Sequence, residues 1–193
     1  VTVPYKKSIV PFLDGLAPSA EAVGAVNTVA FTSKGRIGHN TDVVGFKRSI
    51  APFLEGHHQR ALIMGTGGAA AAVRHVLEGI GVDVFMVSRT PGGFKTVSYG
   101  DISADGMKAT PLLVNCTPVG MHPEVDHLPP LSRAALDAVG PQHLVIDLVY
   151  NPAQTGLLKR ASSLGARTLG GLSMLKFQAE AAWEIWEAEA SQH

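Results

Sequence analysis

Only one cysteine, Cys116, occurs in 193 residues. An internal disulfide is therefore excluded, and this usage points to a reducing, cytoplasmic compartment. An excess of charge of either sign is also lacking. Sixteen Lys and Arg balance sixteen Asp and Glu, and no basic run exceeds two residues. A nucleic-acid or anionic-membrane partner would need a basic patch or stripe, so neither is expected. No long apolar run is present. The nearest, "ALIMGTGGAAAAV", is interrupted by Gly and Thr and then meets Arg74. It falls short of the roughly 20 residues that cross a bilayer. The eight His are scattered; His57 and His58 adjoin, but no HExxH or Cys/His cluster accompanies them, so no metal site is expected. Internal repeats, low-complexity segments and a signal-peptide pattern are missing too.

What is present is a well-filled globular composition, 46% hydrophobic and 17% charged. From about Arg60 onward, short apolar runs alternate with amphipathic ones. Strands are expected at 61–65, 82–88, 112–116, 144–149 and 166–170, each bounded by Gly, Pro or polar residues. Helices are expected at 68–79, 132–139 and 154–164. This order implies βαβ units and a parallel sheet. The second crossover carries Pro91, Gly92 and Gly93, which argue against a full helix, so it reads as loop plus a short turn.

Residues 1–42 differ in texture. They read as a short strand at Val1–Val3, a helix near 7–16, and a hairpin around Lys34-Gly35. A connecting helix over 42–55 follows, with Asp42 near its start. The last segment is a strong helix that Ser173 can cap, with Met174, Phe177, Ala181 and Ile185 on one apolar face. The expected fold is thus α/β: a Rossmann-like parallel sheet with helices on both faces, plus part of a second α/β domain. The expected domains are 1–42 as a remnant of a substrate domain, 43–170 as a nucleotide-binding domain, and 171–193 as a helix returning to the first. The opening Val-Thr-Val has no start signal and no Met before it, and reads as a cut edge.

The stretch "ALIMGTGGAAAAVRHVL" is strand, tight glycine turn, then helix. Gly65, Gly67 and Gly68 leave room for a pyrophosphate to approach a helix N-terminus. The alternative is a tight turn with nothing bound. The second strand ends in "VSRT", where an Asp or Glu would favour NAD. Ser88 and Thr90 offer hydroxyls, and Arg89 offers a planar cation suited to a 2′-phosphate, which favours NADP. Lys95 is a further candidate if the loop curls back, and a solvated Arg89 is the competing reading.

Eight motifs occur in order: "VTVPYK", "GAVNT", "GHNTD", "GTGGAAAAV", "SRT", "NCTPVGM", "DLVYNP" and "GLSMLKFQ". Together they resemble the shikimate dehydrogenase family, whose members reduce 3-dehydroshikimate with NADPH in chorismate and aromatic amino-acid biosynthesis. The resemblance implies that Lys6 and Asp42 are catalytic. It makes Thr2, Asn27, Tyr150 and Gln178 substrate ligands. Gly65, Thr66, Gly67, Gly68, Ala69, Ser88, Arg89, Thr90 and Thr117 become contacts of NADP(H), and Val149 and Gly171 flank its nicotinamide. A homodimer is a possible assembly. Relatives carry a further upstream segment with a Ser-x-Ser pair that binds the substrate carboxylate, so the N-terminal part of the substrate domain is expected to be missing from this chain. Smaller departures are Ser88 for the usual Asn, Val43 where Gly often follows the Asp, and Gly170 for a common Asp. Alternative readings are a quinate or aminoshikimate dehydrogenase, or a non-catalytic NADP-binding fragment.

Overall fold

The computed structural model describes residues 1–191. In chain order its elements are β1 (Gly15–Leu16), α1 (Pro18–Val23), β2 (Thr28–Thr32), β3 (Gly35–His39), α2 (Asp42–Ile50), β4 (Arg60–Met64), α3 (Gly68–Gly79), β5 (Asp83–Ser88), β6 (Thr96–Ser98), α4 (Ala104–Lys108), β7 (Leu112–Asn115), α5 (Arg133–Asp137), β8 (Leu144–Asp147), α6 (Gly156–Ser163), β9 (Arg167–Gly170) and α7 (Leu172–Ala190). They group into two compact units. The first holds Val1–Ser49, Gly67–Val76 and the chain from Ser173 onward; the second holds Ile50–Thr66 and Leu77–Leu172.

The first unit is built on a three-stranded sheet of order β1-β3-β2. β2 and β3 form the expected hairpin, antiparallel, with Thr32 opposite Gly35 and only Ser33 and Lys34 between them. β1 adds in parallel through Gly15 and Leu16. α1 starts with Pro18, where a missing N–H costs nothing, and stops at Gly24 in the left-handed conformation. The opening of the chain departs from expectation. Val1–Val3 form no strand, and Tyr5 N donates to Thr2 O at 2.8 Å in a turn instead. No helix covers 7–16 either. Pro11 and Gly15 interrupt it, leaving a 3-10 turn at Val10–Phe12 with the proline in its first turn. α7 begins one residue before Ser173, so this serine lies inside the first turn and does not cap; its buried Oγ has no hydrogen-bond partner among the described residues. The expected apolar face does bury Met174 and Ala181.

The second unit is a six-stranded, wholly parallel sheet of order β6-β5-β4-β7-β8-β9, flanked by helices. Strand order reverses direction between β4 and β7, the doubly wound arrangement in which ligands bind outside the strands' carboxyl ends. Its central strands are apolar and buried on both faces: Leu62, Met64, Leu113 and Val145 lie with Leu157 and Leu158 of α6 on one, and Ile63, Val114 and Ile146 are buried on the other. Ser103, Ser132 and Thr155 cap α4, α5 and α6 through their hydroxyls. The crossover expected to be loop also contains β6, paired with β5 at Met86–Thr96, and the short α4.

Candidate active site

The first unit brings four of the expected site residues together. Lys6 Nζ donates to Asp42 Oδ2 at 2.6 Å, and the two side chains are 13% and 5% exposed. Asp42 is the first residue of α2, where the helix dipole favours a carboxylate. Its entry is fixed by Asn40, whose amide donates to Ala25 O at 2.8 Å while its oxygen accepts from Val43 N at 3.3 Å. Asn27 leads into β2. Its Nδ2 lies 3.1 Å from Asp42 Oδ1, 2.9 Å from Thr41 Oγ1 and 3.1 Å from Gln178 Oε1. Its Oδ1 accepts from Thr41 N at 2.8 Å. Gln178, on α7, donates through Nε2 to Leu175 O at 3.0 Å. A hydrogen-bonded carboxylate therefore holds the lysine, and an amide in turn holds the carboxylate. Such a pair offers an ammonium near solvent and a fixed anion behind it, suited to stabilising negative charge on a reacting oxygen and to passing it a proton.

Thr2 is exposed and engages the turn through its carbonyl; no hydrogen bond joins its side chain to this network among the described residues. Gly67, Gly68 and Ala69, at the start of α3, belong to the same unit as Lys6. Gly68 lies against the lysine stem: a Cβ added there would sit 2.9 Å from Lys6 Cβ.

In the second unit, the parallel sheet gathers the remaining expected residues at its carboxyl edge. Gly65 and Thr66 follow β4, with Gly65 at φ +104° and its N–H on Val87 O. Ser88, Arg89 and Thr90 close β5, where Thr90 N donates to Ser88 Oγ at 3.2 Å and Arg89 is exposed. Thr117 follows β7, Val149 and Tyr150 follow β8, and Gly171 follows β9. Tyr150 is 51% exposed. Gly171 has no room for a side chain, because a Cβ would lie 2.1 Å from Leu148 O. Lys95 takes no part in this edge. It pairs with Asp83 at the opposite, amino end of β5, and its own backbone is left-handed just before β6. The donor set fits NADP(H): a glycine turn after β4, and hydroxyls with a guanidinium but no carboxylate at the end of β5.

Three buried polar residues escape a reading based on apolar runs. Asn115 and Asp147 close β7 and β8 in register, and Thr155 caps α6; all three have no exposed surface. Asn115 Nδ2 donates to Asp147 Oδ1 at 2.9 Å, Val149 N donates to the same oxygen at 3.1 Å, and Thr155 Oγ1 donates to Asp147 Oδ2 at 2.6 Å. Burial pushes the Asp147 carboxyl above the usual carboxylate range, and these hydrogen bonds pull in the opposite direction. The available signal was an Asn and an Asp ending two otherwise apolar strands, "LLVN" and "LVID". Among the described residues no cluster of His, Cys, Asp or Glu could hold a metal, and no helix is long and apolar enough to cross a membrane.

Residues 1–29 match the family described as the shikimate dehydrogenase substrate binding domain. The NADP(+) shikimate dehydrogenase of Desulforamulus reducens is 37% identical over 205 residues, covering 96% of this chain and 69% of the relative. Among solved structures, the shikimate 5-dehydrogenase of Thermus thermophilus in complex with NADP(H) and shikimate aligns with a TM-score of 0.82 at 31% identity, covering 96% of this chain and 70% of that one. Quinate dehydrogenase of Corynebacterium glutamicum in complex with NAD aligns at 0.80 and 32%, covering 95% and 70%.

Proposed function

Because the chain belongs to the shikimate dehydrogenase family, we propose that it reduces 3-dehydroshikimate to shikimate with NADPH, a reversible step of aromatic amino-acid biosynthesis. The observation that carries this reading is the 2.6 Å Lys6–Asp42 pair, tied to Asn27 and Gln178. Bound NADPH supplies the hydride. The ketone oxygen gains negative charge during reduction, and Lys6 stabilises that charge and delivers a proton from Nζ to it. Asp42 keeps the ammonium aimed and shares its proton. Asn27 and Gln178 exchange one internal hydrogen bond for substrate hydroxyls, with Thr2 and Tyr150 as further ligands. The six-stranded unit holds the cofactor through Gly65, Thr66, Ser88, Arg89, Thr90, Thr117, Val149 and Gly171. Gly67, Gly68 and Ala69, at the start of α3 in the first unit, are proposed as further cofactor contacts. Arg89 meets the 2′-phosphate, where its planar cation matches the anion.

A formal net charge of zero supports a small-molecule substrate rather than a polyanion. The single cysteine suits the cytosol, where NADPH is regenerated. A homodimer is the proposed assembly, and light scattering on the purified chain tests it.

The deciding assay mixes the purified chain with NADPH and 3-dehydroshikimate and follows cofactor oxidation. Turnover that needs both compounds is the expected result. NADPH binding without turnover is the outcome for a non-catalytic module. Faster oxidation of quinate with NAD than of shikimate with NADP marks a quinate dehydrogenase; the missing carboxylate at the end of β5 argues against that result.

A further inference from the structure

We infer that Asp147 is a positioning residue: it ties the loop after β7 to the loop after β8 and so sets Thr117 and Val149 for the cofactor. The inference rests on the functional reading above. Taking a carboxylate out of water is costly unless it is paired, and buried carboxylates usually face a cation. Asp147 has no exposed surface, yet among the described residues its hydrogen-bond partners are all neutral: Asn115 Nδ2, Val149 N and Thr155 Oγ1. A group that isolated needs a reason to be there, and its contacts supply one.

Each partner leads to a different segment. Asn115 Oδ1 accepts from Thr117 N at 3.1 Å and from Thr117 Oγ1 at 2.6 Å, while its Nδ2 also reaches Val119 O at 3.2 Å. The loop leaving β7 is therefore pinned to a side chain that Asp147 orients. Val149 N meets Asp147 directly, and Leu148 N donates to Asn115 O at 2.9 Å, which fixes the loop leaving β8. Thr155 connects the same carboxylate to the start of α6, accepting from Leu158 N at 3.4 Å. One carboxylate thus holds three segments, and two of them carry residues assigned to the cofactor. Asp147 touches neither substrate nor cofactor and acts through Thr117 and Val149.

The test uses Thr155→Val, which keeps shape but removes the hydroxyl, and Thr155→Ser, which restores it. NADPH affinity is read by fluorescence titration of the full chain, and KM for 3-dehydroshikimate is measured at saturating cofactor. Thr155→Val is expected to raise the NADPH Kd about tenfold, the size of one lost hydrogen bond to a charged group. The KM for 3-dehydroshikimate rises less than the NADPH Kd, because Tyr150 is the one proposed substrate ligand on a segment that Asp147 holds. Thr155→Ser is expected to return the NADPH Kd to within about twofold of wild type, since it restores the lost donor. Should Thr155→Val fail to fold, Asp147→Asn gives the same selective rise. An unchanged NADPH Kd in the variants overturns the inference, and so does an equal rise in both constants, which marks general loosening. A wild-type chain that does not bind NADPH overturns the functional reading, and this inference with it.

Discussion

Each compact unit contains a carboxylate held by an asparagine, and the two carboxylates are built to opposite ends. Asp42 faces a lysine that keeps 13% of its side-chain surface in solvent. Among the described residues Asp147 accepts only from neutral donors, and it has no exposed surface. The asparagines serve alike: Asn27 links Asp42 to Thr41 and Gln178, and Asn115 links Asp147 to Thr117. What differs is access and charge. A cation at the edge of solvent can meet a reactant and exchange a proton, whereas a sealed, neutral-partnered carboxylate can only hold its neighbours. On the proposed roles, chemistry and positioning are separated by burial and by the presence of a cation, with the same pair of residue types used in both places.

The sharpest way to break this comparison is to remove the cation. Lys6→Ala is expected to lower turnover by ~10²-fold or more, as loss of a general acid does, with little change in KM for 3-dehydroshikimate. Steady-state kinetics at saturating NADPH reads it. Near-normal turnover would show that the open network is as purely structural as the closed one.

Next in size is the closed network itself. Asn115→Ala strips one donor from Asp147 and leaves a buried acceptor poorly satisfied, with Thr117 N and Oγ1 freed as well. The expected cost is about 2 kcal/mol of folding stability, the range for a lost hydrogen bond to a charged group. Urea unfolding monitored by far-UV circular dichroism, which follows the elements of both units, checks it. A loss within error of zero means that water enters and replaces the amide, and the network is not sealed.

These two networks were not equally legible. The parallel sheet was, because its strands are covered on both faces and so appear as apolar runs broken by turn residues; 144–149 was expected where Leu144–Asp147 forms. Lys6, Asp42, Asn27 and Gln178 were singled out through ordered motifs, and the structure joins them in one hydrogen-bonded chain. Asn115 and Asp147 open two of the quoted motifs, "NCTPVGM" and "DLVYNP", but as the ends of apolar runs they were given no role. Their roles depend on being neighbours across β7 and β8, a register that no single strand carries. The start of the chain misled for a related reason. Val1–Val3 have strand-forming side chains, but a strand exists only with a ladder partner, and propensity does not provide one. β6 was missed from the opposite side: a segment with Pro91, Gly92 and Gly93 looks like loop, and pairing with β5 and the Lys95–Asp83 contact order its last residues.

A smaller effect sharpens the assignment of roles in the six-stranded unit. Arg89 is exposed at the end of β5, beside Ser88 and Thr90. Arg89→Ala is expected to raise the NADPH Kd about tenfold, the loss of one charge-assisted hydrogen bond, and to leave NADH affinity unchanged. Paired titrations with the two cofactors read the difference. Equal changes for both would move Arg89 away from the 2′-phosphate and leave the choice of cofactor to other residues.

The finest discrimination compares the two asparagines directly. Asn27→Ala removes the hydrogen bonds of Nδ2 to Asp42 Oδ1, Thr41 Oγ1 and Gln178 Oε1 and those that Oδ1 accepts from Thr41 N and Thr28 Oγ1, so by the bonds lost alone it should cost no less than Asn115→Ala. The surroundings make the difference. Asp42 keeps Lys6 at 2.6 Å, and Asn27 is 8% exposed where Asn115 has no exposed surface, so the place vacated at Asn27 lies nearer to solvent. Water can then satisfy the freed groups, so only the net value of a hydrogen bond is lost, about 1 kcal/mol. The same unfolding experiment should therefore rank Asn27→Ala below Asn115→Ala. If the ranking reverses, solvent does not reach the Lys6–Asp42 pair, and the network assigned to chemistry is as closed as the one assigned to positioning.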